Sequence, residues 1–318
     1  MGIMIMMTRN FTDVKSWQNF QLGDELDISG IFIYNGLEAF RRIKSLNNSV
    51  EIFEVLYNLS VGIERVCKVA IALLECDDNT DHKEFEKSLK THNSNYLLKK
   101  INNYSSLKLT PAQNSLIQLL DEFYKSYRYN RFNVDSISNL DRESNSFIKL
   151  LREYLEIKID SNICNEEKFI TFLYETVLGI SKNLYKIINE SARNRGICTQ
   201  ELSYDSKAAQ VFYNCKKIIK QTYNHDILIK ELLIYFMNTK DTNKYFSSLR
   251  EMKPLNFDVA NIDDYIRSFI DFRTRVQVYD EMEELHNEYD EDKYNERIEI
   301  LNYFGGNVLS FDEDDADM

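Results

Sequence analysis

The chain has 318 residues and a formal net charge of −12, and its nine glycines and two prolines fall far below average usage. Sheet proteins need many turns, which glycine and proline provide, so this composition excludes an all-β architecture and predicts an all-α fold. Because 43% of the residues are hydrophobic and the length exceeds the usual size of one domain, we expect two helical units with sizeable cores.

Cysteine usage and the N-terminus restrict the compartment and the chemistry. The five cysteines are odd in number, widely spaced and without a C-x-x-C pair, which argues against a disulfide framework and against a zinc site. Met1–Met7 is too short for a signal peptide, and no apolar run approaches the length of a membrane span. We therefore expect a cytoplasmic protein with no membrane segment, no metal and no cofactor.

Helical patterns follow one another from residue 31 to residue 304. The clearest is Val50–Glu75, where apolar residues recur every three or four positions and predict one buried face. Thr110 and Pro111 supply the N-cap and first-turn proline of a helix that runs to about Tyr127. The other predicted helices cover residues 31–46, 136–158, 165–193, 203–222, 224–239, 261–290 and 292–304.

These patterns predict the domain organisation. The least helical stretches are Met1–Gly30 and Glu251–Asn261. We expect an N-terminal arm at residues 1–30, a helical bundle at 31–135, a second helical unit at 136–304 and an acidic, disordered tail at 305–318.

The second unit resembles a divergent copy of the first at a constant offset of 117 residues. The matched pairs include Leu56 with Leu173, Gly62 with Gly179 and Lys99 with Lys216. The copy lacks counterparts of His92 and Arg128. Helices rich in Leu, Ile, Lys and Tyr also match by chance, so the sequence leaves duplication and coincidence open.

Acidic charge is concentrated at the C-terminal end. From Asp280 to Met318 there are fifteen acidic and two basic residues, a net charge of −13, whereas the rest of the chain carries +1. A solvated acidic end explains this run. The alternative is an internal mimic of phosphate that covers a basic surface when the ligand is absent.

Two basic residues of the Val50–Glu75 helix, and a histidine after it, have the chemistry of anion binding. Arg65 and Lys68 are three positions apart and could hold a phosphate between them, although Lys68 could instead pair with Glu64 at i,i+4. His92 follows Thr91, a candidate cap of the next helix, so its imidazole would lie near a helix start that favours anions. Its alternative role is a local hydrogen bond.

The segment Phe123–Phe132 interleaves aromatic rings with basic side chains, among them Arg128 and Arg131. This mixture stacks bases and contacts phosphate, but it is also typical of a core aromatic stripe with basic ends that reach the solvent. Nine basic and four acidic residues lie between Lys83 and Arg131, which predicts a positive patch. The candidate binding residues are Arg65, Lys68, His92, Arg128 and Arg131.

Residues 50–131 resemble a HEPN domain, a helical module that binds nucleotides or nucleic acid. Glu64, Arg65 and Lys68 stand where the family has Glu-Lys-x-x-Lys; Thr91-His92 resembles its Thr-His, and Arg128-Tyr129 its closing Arg-Tyr. Arg65 replaces the first lysine of the family pattern, and the usual proline after the closing tyrosine is an asparagine. Some members cleave RNA with an Arg-x4–6-His motif, which this sequence lacks.

The resemblance implies a noncatalytic protein that binds RNA or a nucleotide, in a bacterial toxin–antitoxin or phage-defence system. It further implies a nucleotidyltransferase or nuclease as the partner protein and a pairing of bundles, as in a homodimer. Two alternatives stay open: a ribonuclease with an unconventional His92/Arg128 site, and a helical scaffold for protein interactions.

Overall fold

The computed structural model describes residues 13–134, 141–157, 163–197, 206–238, 240, 250–270 and 276–303. Every regular element in these ranges is a helix, and an isolated antiparallel bridge joins Ser45 to Cys164. The all-α prediction is therefore confirmed. Within the same ranges no helix combines the length and the apolar character needed to cross a membrane.

The helices are numbered in chain order. They are α1 (Asp13–Asn19), α2 (Gln21–Arg42), α3 (Ser49–Glu75), α4 (His82–Leu89), α5 (Ser94–Asn102), α6 (Pro111–Glu122), α7 (Arg128–Asn130), α8 (Arg142–Tyr154), α9 (Glu167–Asn194), α10 (Lys207–Phe212), α11 (Cys215–Asn238), α12 (Ile262–Ile270), α13 (Val276–Asn287) and α14 (Glu291–Tyr303). A π-helical turn, Phe123–Tyr127, joins α6 to α7, and a 3-10 turn, Val259–Asn261, precedes α12.

The chain forms two compact units, Met1–Thr222 and Tyr223–Met318. In the first unit α3 is central and packs against α2, α5, α8 and α9. Asn48 caps α3 by accepting hydrogen bonds from the backbone N–H groups at the helix start, so α3 begins within one residue of its predicted position. Helices from both sides of the predicted boundary at residue 135 share this core. The boundary between the two compact units lies instead between Thr222 and Tyr223.

The prediction for Met1–Gly30 is wrong from Asp13 onward, because α1 and the first half of α2 are helical. Glycines lower the helix propensity of α2, but burial of Leu22 and Leu26 and packing on α10 stabilise it. Gly30 permits that packing, since a Cβ there would lie 2.5 Å from the backbone of Ala208. Of the predicted helix 261–290, α12 and α13 are helical, residues 288–290 are not, and residues 271–275 lie outside the described part of the chain.

Two of the matched pairs of the apparent repeat lie on α3 and α9, which pack against each other. Leu56 and Leu173 are both fully buried. Gly62 lies against Ile33 of α2, whereas Gly179 lies against a glutamine of α6. The duplication stays a prediction, and the predicted disordered tail lies outside the described residues.

Candidate functional site

A π-helical turn at the end of α6 organises the candidate site. Such turns occur frequently at functional positions. Phe123 and Tyr127 are buried in the core, and the Phe123 ring meets Phe53 of α3 edge-on, with centroids 5.0 Å apart. The turn is thus anchored by two rings, while Tyr124 between them is half-buried at the surface.

Tyr124 brings His92 and Arg128 together. The His92 and Tyr124 ring centroids are 4.8 Å apart, and the guanidinium carbon of Arg128 lies 3.9 Å from the Tyr124 centroid. Arg128 also lies 4.4 Å from the ring of the exposed Tyr129, to whose hydroxyl it donates a hydrogen bond. The guanidinium therefore contacts two aromatic rings, a favourable position for a cation.

The aromatic surface continues along α3. Tyr124 stacks on Tyr57 with centroids 6.4 Å apart, and Tyr57 stacks on Phe53 at 6.3 Å. Arg131 lies 5.0 Å from the Phe53 centroid. We call Phe53, Tyr57 and Tyr124 the aromatic row; it has Arg131 at one end and Arg128 at the other.

The nearly buried carboxylate of Glu64, only 9% exposed, connects Lys68 to His92. Lys68 Nζ donates to Glu64 Oε1 at 2.6 Å, so the Glu64–Lys68 pair considered from the sequence is present. His92 Nδ1 lies 3.0 Å from Glu64 Oε2, and the imidazole is 58% exposed. A carboxylate partner favours the proton on Nδ1, which leaves Nε2 directed away from Glu64 and available to a ligand.

Asp121 fixes the loop that carries His92. Its buried carboxylate accepts hydrogen bonds from Ser94 N at 2.6 Å, Asn95 N at 3.1 Å and Asn95 Nδ2 at 2.7 Å. These backbone groups begin α5. The helix start that the sequence offered to an external anion is therefore occupied by a carboxylate of the protein itself.

The predicted cap of α5 is wrong by two residues. Asn93 is the N-cap and accepts a hydrogen bond from Tyr96 N, whereas the hydroxyl of Thr91 accepts one from Asn93 N. An asparagine side chain caps as well as a threonine, and the sequence offers both in succession. His92 consequently lies in the loop before the cap, where Glu64 and Tyr124 determine its position.

Burial affects the titration of the central ring. Partial burial raises the pKa of Tyr124, while the Arg128 guanidinium lowers it and the Glu64 carboxylate raises it further. The Tyr124 hydroxyl thus stays protonated at neutral pH and can donate a hydrogen bond. Its ring keeps the neutral π-face that favours both a cation and a stacked base.

Four of the five predicted site residues lie together, and the fifth, Arg65, is engaged elsewhere. Lys68, His92 and Arg128 lie around Glu64 and Tyr124, and Arg131 joins them through the aromatic row. Arg131 also pairs through Nε with the buried Glu143 at 2.8 Å. Arg65 instead forms an ion pair with Glu25 of α2, so Arg65 and Lys68 are engaged by different carboxylates.

Sequence reasoning missed several residues of this site. Phe53 and Tyr57 are four positions apart on α3, a spacing that indicates neighbouring rings and could have found them. Asp121 gave no such indication, because its partners in α5 are 26 or more positions away. The core interpretation of Phe123–Phe132 holds for Phe123 and Tyr127, which are buried, whereas Tyr129 and Phe132 are exposed and their role in binding stays a prediction.

Two cavities of the first unit have linings that do not include the aromatic row. One of about 370 Å³ is lined by residues including Trp17, Cys76 and Phe85, and another of about 280 Å³ includes Lys182 and Cys215. In the row itself, Tyr57 is exposed and Phe53 and Tyr124 are half-buried. Open, extended surfaces suit a polymer strand better than an enclosed small molecule, which prefers a concave pocket.

Comparison of the chain with models of known protein families, with curated proteins and with solved structures gave no match. The resemblance to the HEPN domain therefore rests on the residues quoted above.

Proposed function

We propose that the first unit binds single-stranded RNA, or a nucleotide, at the aromatic row without cleaving it. The observation that carries this proposal is the convergence of His92 and Arg128 on the ring of Tyr124. Bases stack on such rings, and guanidinium and imidazole groups beside them contact phosphate. The exposure of Tyr57 and Tyr129 supports access by a strand.

The resemblance to HEPN domains supports the same ligand class and adds a biological setting. In that setting the protein acts in a bacterial toxin–antitoxin or phage-defence system, in the cytoplasm. Its partner protein is a nucleotidyltransferase or a nuclease, and its bundles pair as a homodimer. These parts of the proposal rest on the order of Glu64, Arg65, Lys68, Thr91-His92 and Arg128-Tyr129 in the sequence.

Binding of a fluorescein-labelled oligouridine, followed by anisotropy over a series of salt concentrations, tests the ligand class. Arg128→Gln removes one cation from the row, and we expect affinity to fall by about fivefold to tenfold and the salt slope to flatten by about 0.7. Tyr124→Leu removes the stacking surface, and we expect a loss of about 1–3 kcal/mol.

The matched control is Arg152→Gln, which removes the same charge from an exposed position on α8. We expect it to change affinity less than twofold, because an exposed charge outside the aromatic row is largely screened. Equal losses in the two arginine variants would assign binding to overall charge. No binding of the unmodified protein at any salt concentration would favour the protein-interaction scaffold.

A ribonuclease is the second candidate, because the Glu64 carboxylate orients His92 while Arg128 lies on the same ring. An oriented histidine can transfer a proton, and a nearby arginine can stabilise charge on phosphate. Incubation of the purified protein with labelled RNA distinguishes the two functions. Intact RNA agrees with noncatalytic binding, whereas cleavage that His92→Gln abolishes and His82→Gln retains would establish the ribonuclease.

A further inference from the structure

The second unit exposes a stripe of apolar side chains that none of the functions above uses. Val259, Ile262, Ile266 and Phe269 are 79%, 52%, 41% and 55% exposed, respectively. Their spacings of three, four and three residues place them on one side of the 3-10 turn and α12. Contiguous exposed apolar groups of this kind mark interaction surfaces more often than isolated ones do.

The backbone under the apolar stripe is held by the carboxylate of Glu281 on α13. This carboxylate accepts hydrogen bonds from Asp258 N at 2.7 Å and from the Tyr265 hydroxyl at 2.6 Å. The Tyr265 ring also meets Phe257, with centroids 5.1 Å apart. Because these contacts use Tyr265 and the residues before α12, the side chains of the apolar stripe are not engaged by them and stay exposed among the described residues.

Negative charge predominates beside the apolar stripe, because the one basic residue of α12, Arg267, is paired with Asp264 at 3.9 Å. Asp258 and Asp263 are exposed on the same short segment, and α13, whose Glu281 contacts that segment, carries four acidic residues. Residues 276–303 contain ten acidic and two basic residues. An occupant of the stripe therefore needs an apolar face and basic flanks, and the same charge disfavours a nucleic acid there.

We infer that the apolar stripe is a docking site for a basic amphipathic helix of a partner protein. Such a helix would place its own i, i+3, i+4 and i+7 apolar residues against the stripe, a common mode of helix recognition. Its lysines or arginines would lie beside Asp258, Asp263 and the acidic helix α13. Burial of the apolar faces provides affinity, while the charges accelerate association and select a basic partner.

The test uses a fluorescein-labelled peptide of about 14 residues, long enough for four helical turns, with leucines on one face and lysines on the other. A peptide of the same composition in scrambled order has the same charge but no apolar face. We expect the full-length protein to bind the amphipathic peptide at least about tenfold more tightly than the scrambled one. Equal binding of the two peptides would overturn the proposal, because charge alone would explain it.

Two protein variants locate the binding. Ile266→Ser with Phe269→Ser removes half of the apolar stripe and should weaken binding of the amphipathic peptide by about tenfold. Phe20→Ser, at a comparably exposed ring in the first unit, should leave it unchanged. Circular dichroism of both variants checks the folding, and we expect their helicity to match that of the unmodified protein.

Undiminished binding in the double variant would place the peptide elsewhere and refute the site. Sedimentation of the unmodified protein decides between occupants. A dimer that the double variant dissociates would make a second copy of the chain the occupant, and would overturn the assignment to a basic partner.

Discussion

Replacing Asp121 with alanine should destabilise the first unit and release the loop that carries His92. The change removes the acceptor of three hydrogen bonds, two from backbone N–H groups at the start of α5 and one from the Asn95 amide. Alanine offers no replacement. Since Ser94 is buried, water cannot easily satisfy its N–H group in the variant.

The magnitude follows from the burial of these groups. A buried polar group left without a partner costs about 1–3 kcal/mol. The N–H of Ser94 should bear the full cost, whereas Asn95 is half-buried and its groups partly recover hydrogen bonds to water. We therefore expect a loss of about 3 kcal/mol in the free energy of unfolding. With a urea slope of about 2–3 kcal/mol/M, the midpoint should fall by about 1 M or more.

Trp17 provides the assay. It is the single tryptophan of the chain and lies on α1, in the first unit, where it packs against the core. Its fluorescence in a urea titration therefore reports unfolding of the unit that contains Asp121. Oligouridine binding, measured on the folded variant at low urea, should weaken as well, because His92 loses the support of its loop.

The matched control is Asp81→Ala. Asp81 also caps a helix, accepting from Lys83 N and Glu84 N, but it is exposed and α4 has no buried residue. We expect a loss of no more than about 1 kcal/mol there. If Asp121→Ala cost no more than Asp81→Ala, the buried hydrogen bonds would not support the loop as argued.

Two further predictions concern packing and charge. Gly30→Ala should lower the free energy of unfolding by about 1–3 kcal/mol, measured in a thermal melt, because the new methyl group would lie 2.5 Å from Ala208 Cα. Gly36→Ala should cost less, because its nearest neighbours are side-chain atoms. A larger loss for Gly36→Ala than for Gly30→Ala would contradict this packing. Deleting 311–318 removes five acidic side chains that would repel RNA or cover a basic surface, so affinity for oligouridine at low salt should rise, and this gain should shrink as salt is added. Equal affinities of the full-length and shortened chains would make the acidic end a solubility feature.

The sequence predicted those parts of the fold that depend on local patterns. The shortage of glycine and proline indicated an all-α chain, and the apolar spacing of Val50–Glu75 located α3 to within one residue. It failed where tertiary packing overrides local preference. Gly30 weakens the helical pattern of α2, yet that same glycine lets α2 approach Ala208 closely, a contact that no local pattern reveals.

The candidate site was predictable by residue type but not by arrangement. Basic and aromatic residues in Phe123–Phe132 indicated a binding surface, and His92 was a candidate. Arg128 reaches the ring of Tyr124 at i,i+4 within one helical segment, but His92 meets that ring only because its loop packs against that segment. The partner of Arg65 is likewise remote, since Glu25 lies forty residues earlier in the chain.

The partners of the basic residues determine how the surface should bind. Carboxylates already engage Lys68, His92 and Arg131, so these side chains offer a phosphate less attraction than their formal charges suggest. Arg128 is held by aromatic rings and keeps its charge uncompensated by those carboxylates. Binding at the aromatic row should therefore depend more on stacking than on ion release, and Tyr124→Leu should reduce affinity at high salt by more than Arg128→Gln does.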